Sequence, residues 1–104
     1  MEFLKLEVFI PLGHEESVIE ALNSGGFLQE GNYDYCYATS LVKGHFRPLD
    51  ESQAYIGQVG ELTEVDEVKL ECRIRAKHRT EVDSLIRLAH PYEIPVMNFM
   101  ALVD

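Results

Sequence analysis

Two segments of this chain alternate so strictly that they fix its class of fold before anything else is weighed. Leu4, Leu6, Val8 and Ile10 are spaced by Lys5 and Glu7, and Val68, Leu70, Cys72 and Ile74 are spaced by Lys69, Glu71, Arg73 and Arg75. Successive side chains of a strand point to opposite faces, so each segment predicts a strand with one apolar and one polar face. The apolar faces need a cover, and two intervening segments have helical spacing.

The first helix is announced by Pro11 and Gly13, which break the strand, and by Glu15 and Glu16, whose charge suits a helix N-terminus. Val18, Ala21 and Leu22 supply its apolar stripe, and Gly25-Gly26 its stop. In the second, Thr80 is placed to cap with Asp83 three residues on. Val82, Leu85, Ile86 and Ala89 then recur at i, i+3, i+4 and i+7, and Pro91 ends the run. Tyr33, Tyr35, Tyr37, Thr39 and Val42 predict an extended strand from Asn32 that ends near Gly44. A last strand is expected over residues 96–103, after Pro95. Between Pro48 and Glu64 lies a long irregular loop, of the kind that is functional or mobile in a compact domain. The order is β-α-β-β-α-β: an α+β, ferredoxin-like sandwich with two helices on one face of a mostly antiparallel sheet.

With 104 residues the chain is expected to be one domain, 1–104. Eighteen acidic against nine basic residues give a formal net charge of −9, which repels phosphate backbones and anionic membranes alike. Neither nucleic acid nor membrane is an expected partner. No apolar run approaches the roughly 20 residues of a spanning helix, and charges interrupt the N-terminal hydrophobics as they would not in a signal peptide. Cys36 and Cys72 form no disulfide framework. A cytoplasmic protein is expected on these grounds.

The densest chemical cluster is Ala89-His90-Pro91-Tyr92-Glu93-Ile94-Pro95. His nitrogen and Glu oxygen suit zinc or copper, which makes His90 and Glu93 candidate ligands with Cys36 or His45 as further donors. A structural reading outweighs it, since a metal needs three or four ligands: a cationic His90 would complement the helix C-terminus, Pro91 would stop the helix, and Tyr92 would pack with its hydroxyl exposed. His14 and His78 read as solvated helix starts and the cysteines as small core residues. Gly57-Gln58-Val59-Gly60 lacks the lysine and flanking strand of a phosphate loop and reads as a turn. No nucleophile has a recognisable base, so the sequence offers no argument for an enzyme.

Four runs together, Gly31-Asn32-Tyr33-Asp34-Tyr35-Cys36, Gly44-His45-Phe46-Arg47-Pro48-Leu49, Ile56-Gly57-Gln58-Val59-Gly60 and Ala89-His90-Pro91-Tyr92-Glu93, resemble the PII-like insert domain of the YqfO/YbgI (NGG1-interacting-factor-like) family. The resemblance covers nearly the whole chain and implies a fold related to PII signalling proteins and to CutA, whose C-terminal motif is similar to His90-Pro91-Tyr92-Glu93-Ile94-Pro95. It implies a homo-oligomer, a trimer first and a dimer through the open sheet face second. The two-metal site of the full-length hosts lies in flanking halves and does not carry over. The chain also lacks the glycine-rich, lysine-bearing loop of PII and has no tryptophan. The leading expectation is a non-enzymatic, self-associating binding or regulatory module. Its surface for a small ligand or protein partner would comprise Asn32, Tyr33, Phe46, Arg47, Gly57, Gly60 and Tyr92. The alternative is a CutA-like protein that binds a divalent metal ion.

Overall fold

A computed structural model describes residues 2–103; Met1 and Asp104, the outermost residues of the expected domain, lie outside the described residues. Four strands and two α-helices follow in the order β1 (Phe3–Pro11), α1 (Glu15–Ser24), β2 (Ala38–Phe46), β3 (Thr63–Arg75), α2 (Arg79–Ala89) and β4 (Met97–Ala101), with a 3-10 turn at Ala76–His78 before α2. The sheet order is β2-β3-β1-β4 and every neighbouring pair is antiparallel. The α+β architecture read from the alternation is therefore present.

One face of the sheet is the core. Leu6, Val8, Ile10 and Leu70 are fully buried beneath Val18 and Leu22 of α1 and Val82 and Ile86 of α2. Burying each such side chain contributes roughly 1.5–3 kcal/mol, so the two alternating segments carry much of the driving force. The helices are held where the spacing puts them. α1 ends as Gly26 takes a φ of 81° and the Phe27 N–H reaches back to the Leu22 carbonyl at 3.0 Å, a geometry that glycine adopts without steric cost.

Three local expectations are corrected. The second strand starts at Ala38, not Asn32, because residues 32–37 turn back along α1. Asn23 accepts the Tyr35 N–H through its side chain at 2.9 Å and Glu20 accepts the Tyr35 hydroxyl at 2.9 Å. These contacts hold Tyr35 at a φ of 51° and override the strand propensity of three tyrosines. Thr80 does not cap α2. The 3-10 turn runs straight into the helix, His78 takes the N-cap place without a side-chain cap bond, and Asp83 pairs with Arg87 one turn on at 2.7 Å. β4 is shorter than expected and stops at Ala101.

The other sheet face has no helix over it. Lys5 and Glu7 of β1 and Lys69 and Glu71 of β3 form a charge lattice there, with Lys5 Nζ 2.7 Å from Glu71 and Lys69 Nζ 3.3 Å from Glu7. The register sets Glu7 opposite Glu71 and Lys5 opposite Arg73, so opposite signs meet on the diagonal, within reach of long side chains. The lattice raises the Lys5 ammonium above its usual range, chiefly through its bond to Glu71, and lowers the Glu71 carboxyl, chiefly through Lys5.

Candidate functional site

At one end of the open face the charge lattice gives way to a cavity of about 540 Å³. Its floor is sheet: alternation puts Phe9 of β1, Glu67 of β3, and Gly44 and Phe46 of β2 on the side away from the core. One wall is the loop after β2, with Arg47, Pro48, Leu49, Ser52, Tyr55 and Ile56; the other is the segment between α2 and β4, with Tyr92, Glu93, Ile94 and Val96. Both walls are tied down. The Gln53 N–H donates to Glu93 Oε2 at 3.1 Å, and Tyr55 shares a 3.3 Å hydrogen bond with His14 Nε2 and sets its ring edge-on to the imidazole.

A chain of hydrogen bonds runs from the end of α2 into the cavity. His90 Nε2–H donates to the Phe9 carbonyl at 2.7 Å, and its Nδ1 accepts the Tyr92 N–H at 3.0 Å. One nitrogen donates and the other accepts, which assigns the neutral imidazole. Burial holds its pKa below the ordinary 6.5 despite the Phe9 carbonyl and Glu67, which act the other way. The Tyr92 hydroxyl then donates to Glu67 Oε2 at 3.1 Å. Burial, reinforced by the Glu67 carboxylate, pushes the Tyr92 phenol well above its usual range, so it is a fixed donor. Phe46 packs edge-on against the Tyr92 ring with centroids 5.9 Å apart.

Glu67 is 6% exposed and no cationic side chain among the described residues pairs with it. Its carboxylate lies across β2 at Gly44, where any Cβ would collide with it. Ser52 Oγ, within the loop wall, is buried without a hydrogen-bond partner among the described residues. An apolar chamber with a carboxylate at its floor, one of whose oxygens is engaged by Tyr92, forms a surface suited to a polar group on an apolar body.

The residues singled out from sequence divide three ways. Phe46, Arg47, His45, Tyr92 and Glu93 line the cavity, Gly57 abuts Phe46 and Pro48, and Gly60 shapes the loop by donating to the Pro48 carbonyl at 2.8 Å. Asn32 and Tyr33 lie elsewhere, exposed at the Glu30–Tyr33 bridge beside α1. Among the candidate metal donors, His90 has both nitrogens engaged, His45 donates to Glu64 at 3.1 Å, and Cys36 lies half-buried next to Asp34. Among the described residues no three His, Cys, Asp or Glu side chains gather in a metal-holding group.

Four sequence readings change. His90 is neutral and buried, not a cation at a helix end; the Tyr92 hydroxyl is bonded to Glu67, not exposed. His14 and His78 do stand at the starts of α1 and α2, but are half-buried against Tyr55 and Phe27 and not fully solvated. Cys72 is a core thiol that burial pushes up to about 12, whereas Cys36 is not in the core.

Sequence reasoning missed Phe9, Gly44 as a contact, Ser52 and above all Glu67. Phe9 did carry a signal, as an apolar residue on the charged side of β1. Glu67 continues the polar side of Lys69 and Glu71, and nothing in that spacing separates a buried carboxylate from a solvated one.

No protein-family model matches the chain. Over 100 residues, 96% of the chain, it is 37% identical to the GTP cyclohydrolase 1 type 2 homolog of Staphylococcus aureus, and covers 27% of that protein. The solved Bacillus cereus protein related to NIF3 superposes with a TM-score of 0.83 at 33% identity, over 99% of this chain and 26% of that one. The chain thus spans about a quarter of the length of these relatives. The periplasmic divalent cation tolerance protein CutA from Archaeoglobus fulgidus superposes over 98% of this chain and 85% of its own, with a TM-score of 0.73 at 14% identity, which shows likeness of fold. No helix among the described residues is long and apolar enough to cross a membrane. In sequence the chain is homologous to one segment of NIF3-related proteins, and in fold it is CutA-like, in agreement with the resemblance carried by its motifs.

Proposed function

We propose that the chain is a non-catalytic, self-associating binding module whose ligand site is the cavity on the open sheet face. The observation that carries this reading is the roughly 540 Å³ chamber itself, walled by two anchored loops around a mainly apolar lining. That volume falls in the range of small-molecule sites. Self-association is supported by β2, an edge strand whose residues 38–41 are all exposed, with Leu41 at 77%; an open edge of this kind is a template for another chain.

A catalytic reading draws on the Glu67–Tyr92 pair, a carboxylate and a phenol in contact inside a pocket. The binding reading is favoured because Tyr92 is driven away from titration near neutrality, and Ser52 Oγ is buried with no base hydrogen-bonded to it among the described residues.

Replacing residues 50–61 by a short turn tests the proposal. With the full chain, a small-molecule library screened by ligand-observed NMR should yield binders that the shortened variant no longer takes up. Binding that survives the replacement places the site elsewhere.

A further inference from the structure

Glu67 presents a problem that the binding reading alone does not solve. A carboxylate taken out of water needs compensation by a cation or by several hydrogen bonds. It is 6% exposed, and among the described residues its hydrogen bond is the one from Tyr92 to Oε2, which leaves Oε1 unengaged at the cavity floor. Lys5, Lys43, Lys69, Arg75 and Arg87 are each paired with other acids, and Arg73 is bound to Glu30. The site is also built around the carboxylate: Gly44 leaves the room that any side chain would fill, and Tyr92 is in turn fixed by His90.

We propose that the cavity selects an organic cation, a small ammonium or amidinium compound with an apolar body, whose N–H groups complete the coordination of Glu67. This rests on the reading of the cavity as a ligand site and names the ligand's class. The charged end would donate to Glu67 Oε1 at the floor of the cavity. The apolar body would lie against Phe9, Phe46 and Ile94, of which Ile94 is 76% exposed without a ligand. An N–H donor on a carboxylate is a charge-assisted bond, stronger inside an apolar chamber than in water. An anion of the same shape would meet Glu67 as a like charge. Arg47, exposed on the rim, is too solvated to decide the sign of the buried end.

The test uses three probes with one body and different heads: 2-phenylethylammonium, 2-phenylethanol and 3-phenylpropionate, titrated into the full chain and followed by backbone amide shifts. The ammonium should perturb Gly44, Phe46 and Ile94 and bind about tenfold or more tighter than the alcohol, with the acid weakest. Glu67→Gln should bring ammonium and alcohol to equal affinity, Glu67→Met should do the same, and Arg47→Ala should leave the order unchanged. An alcohol or acid that binds these residues as well as the ammonium overturns the cation assignment and leaves the cavity a ligand site. Failure of all three probes to move any cavity amide removes both readings. Should Glu67→Gln instead break up the ligand-free oligomer, the missing cation belongs to a second copy of the chain and the proposal is wrong.

Discussion

The two faces of the one sheet are built from the same strands and behave as different materials. Beneath the helices, Leu6, Val8, Ile10 and Leu70 are sealed with no exposure; on the reverse, Lys5, Glu7, Lys69 and Glu71 stay partly wet and the chain leaves a chamber around Glu67. The alternation that makes one face stable therefore frees the other from the demands of folding. Stability and recognition are separated by the pleat, so changes on one face should leave the property of the other nearly intact.

The strongest way to break that separation is to cut into the covered face. Leu6→Ala should lower the unfolding free energy by about 2–5 kcal/mol, read from urea denaturation. Phe9→Ala, three residues along the same strand on the reverse face, should cost well under half as much and instead weaken cavity binding. Equal losses of stability for the two variants would show that the faces are not independent.

Gly44→Ala comes next. The added methyl has no room beside the Glu67 carboxylate, so the carboxylate must swing away from Tyr92, at a cost of about 1–3 kcal/mol for the disrupted buried bond. Pairing it with Glu67→Ala should recover most of that loss, and a double mutant no more stable than the single would point to backbone strain instead.

A smaller effect follows from pH. The folded His90 has its pKa below the unfolded 6.5 because burial disfavours the imidazolium. Between the two values the unfolded chain binds more protons, so stability is fully present above pH 6.5 and declines as the pH falls through the folded pKa. Urea midpoints measured from pH 8 down to pH 5 should drop in the wild type and drop less in His90→Gln. Parallel curves for the two proteins would exclude His90 as the source. Protonation also removes the acceptor for the Tyr92 N–H, which loosens Tyr92 and the wall of the chamber.

The mildest perturbation belongs to the charge lattice. Lys5 lies at the surface with its partners, where solvent screens an ion pair and leaves it little net effect on stability. Lys5→Met should shift the urea midpoint only slightly, by an amount that shrinks in high salt, as checked by denaturation at two ionic strengths. A loss near that of Leu6→Ala would mean that the open face also carries the fold.

The periodic elements were legible because their signal is local and repeated. Four alternating positions in β1 and four in β3, with the helical spacing through Ile86, need only a face to bury. The cavity was legible in part. Phe46, Arg47, Tyr92 and Glu93 stood out beside prolines and glycines that punctuate the chain, and all of them line the chamber. Misreadings came where a distant contact outvoted a local preference. Residues 32–37 look like strand until Asn23 and Glu20 claim Tyr35. His90 looks cationic until the Phe9 carbonyl and the Tyr92 N–H meet its two nitrogens.

By itself the sequence determined which residues must leave water, since apolar side chains at periods of two and of about 3.6 have one way to be buried together, and with that it determined the two-layer architecture. It also determined the acidic surface. The tertiary structure alone decided that Glu67, one carboxylate among eighteen acidic residues, is buried at the floor of a chamber beside Gly44 and Tyr92. Those three come from separate parts of the chain, and their meeting depends on strand register and loop path, which no local pattern of residues encodes.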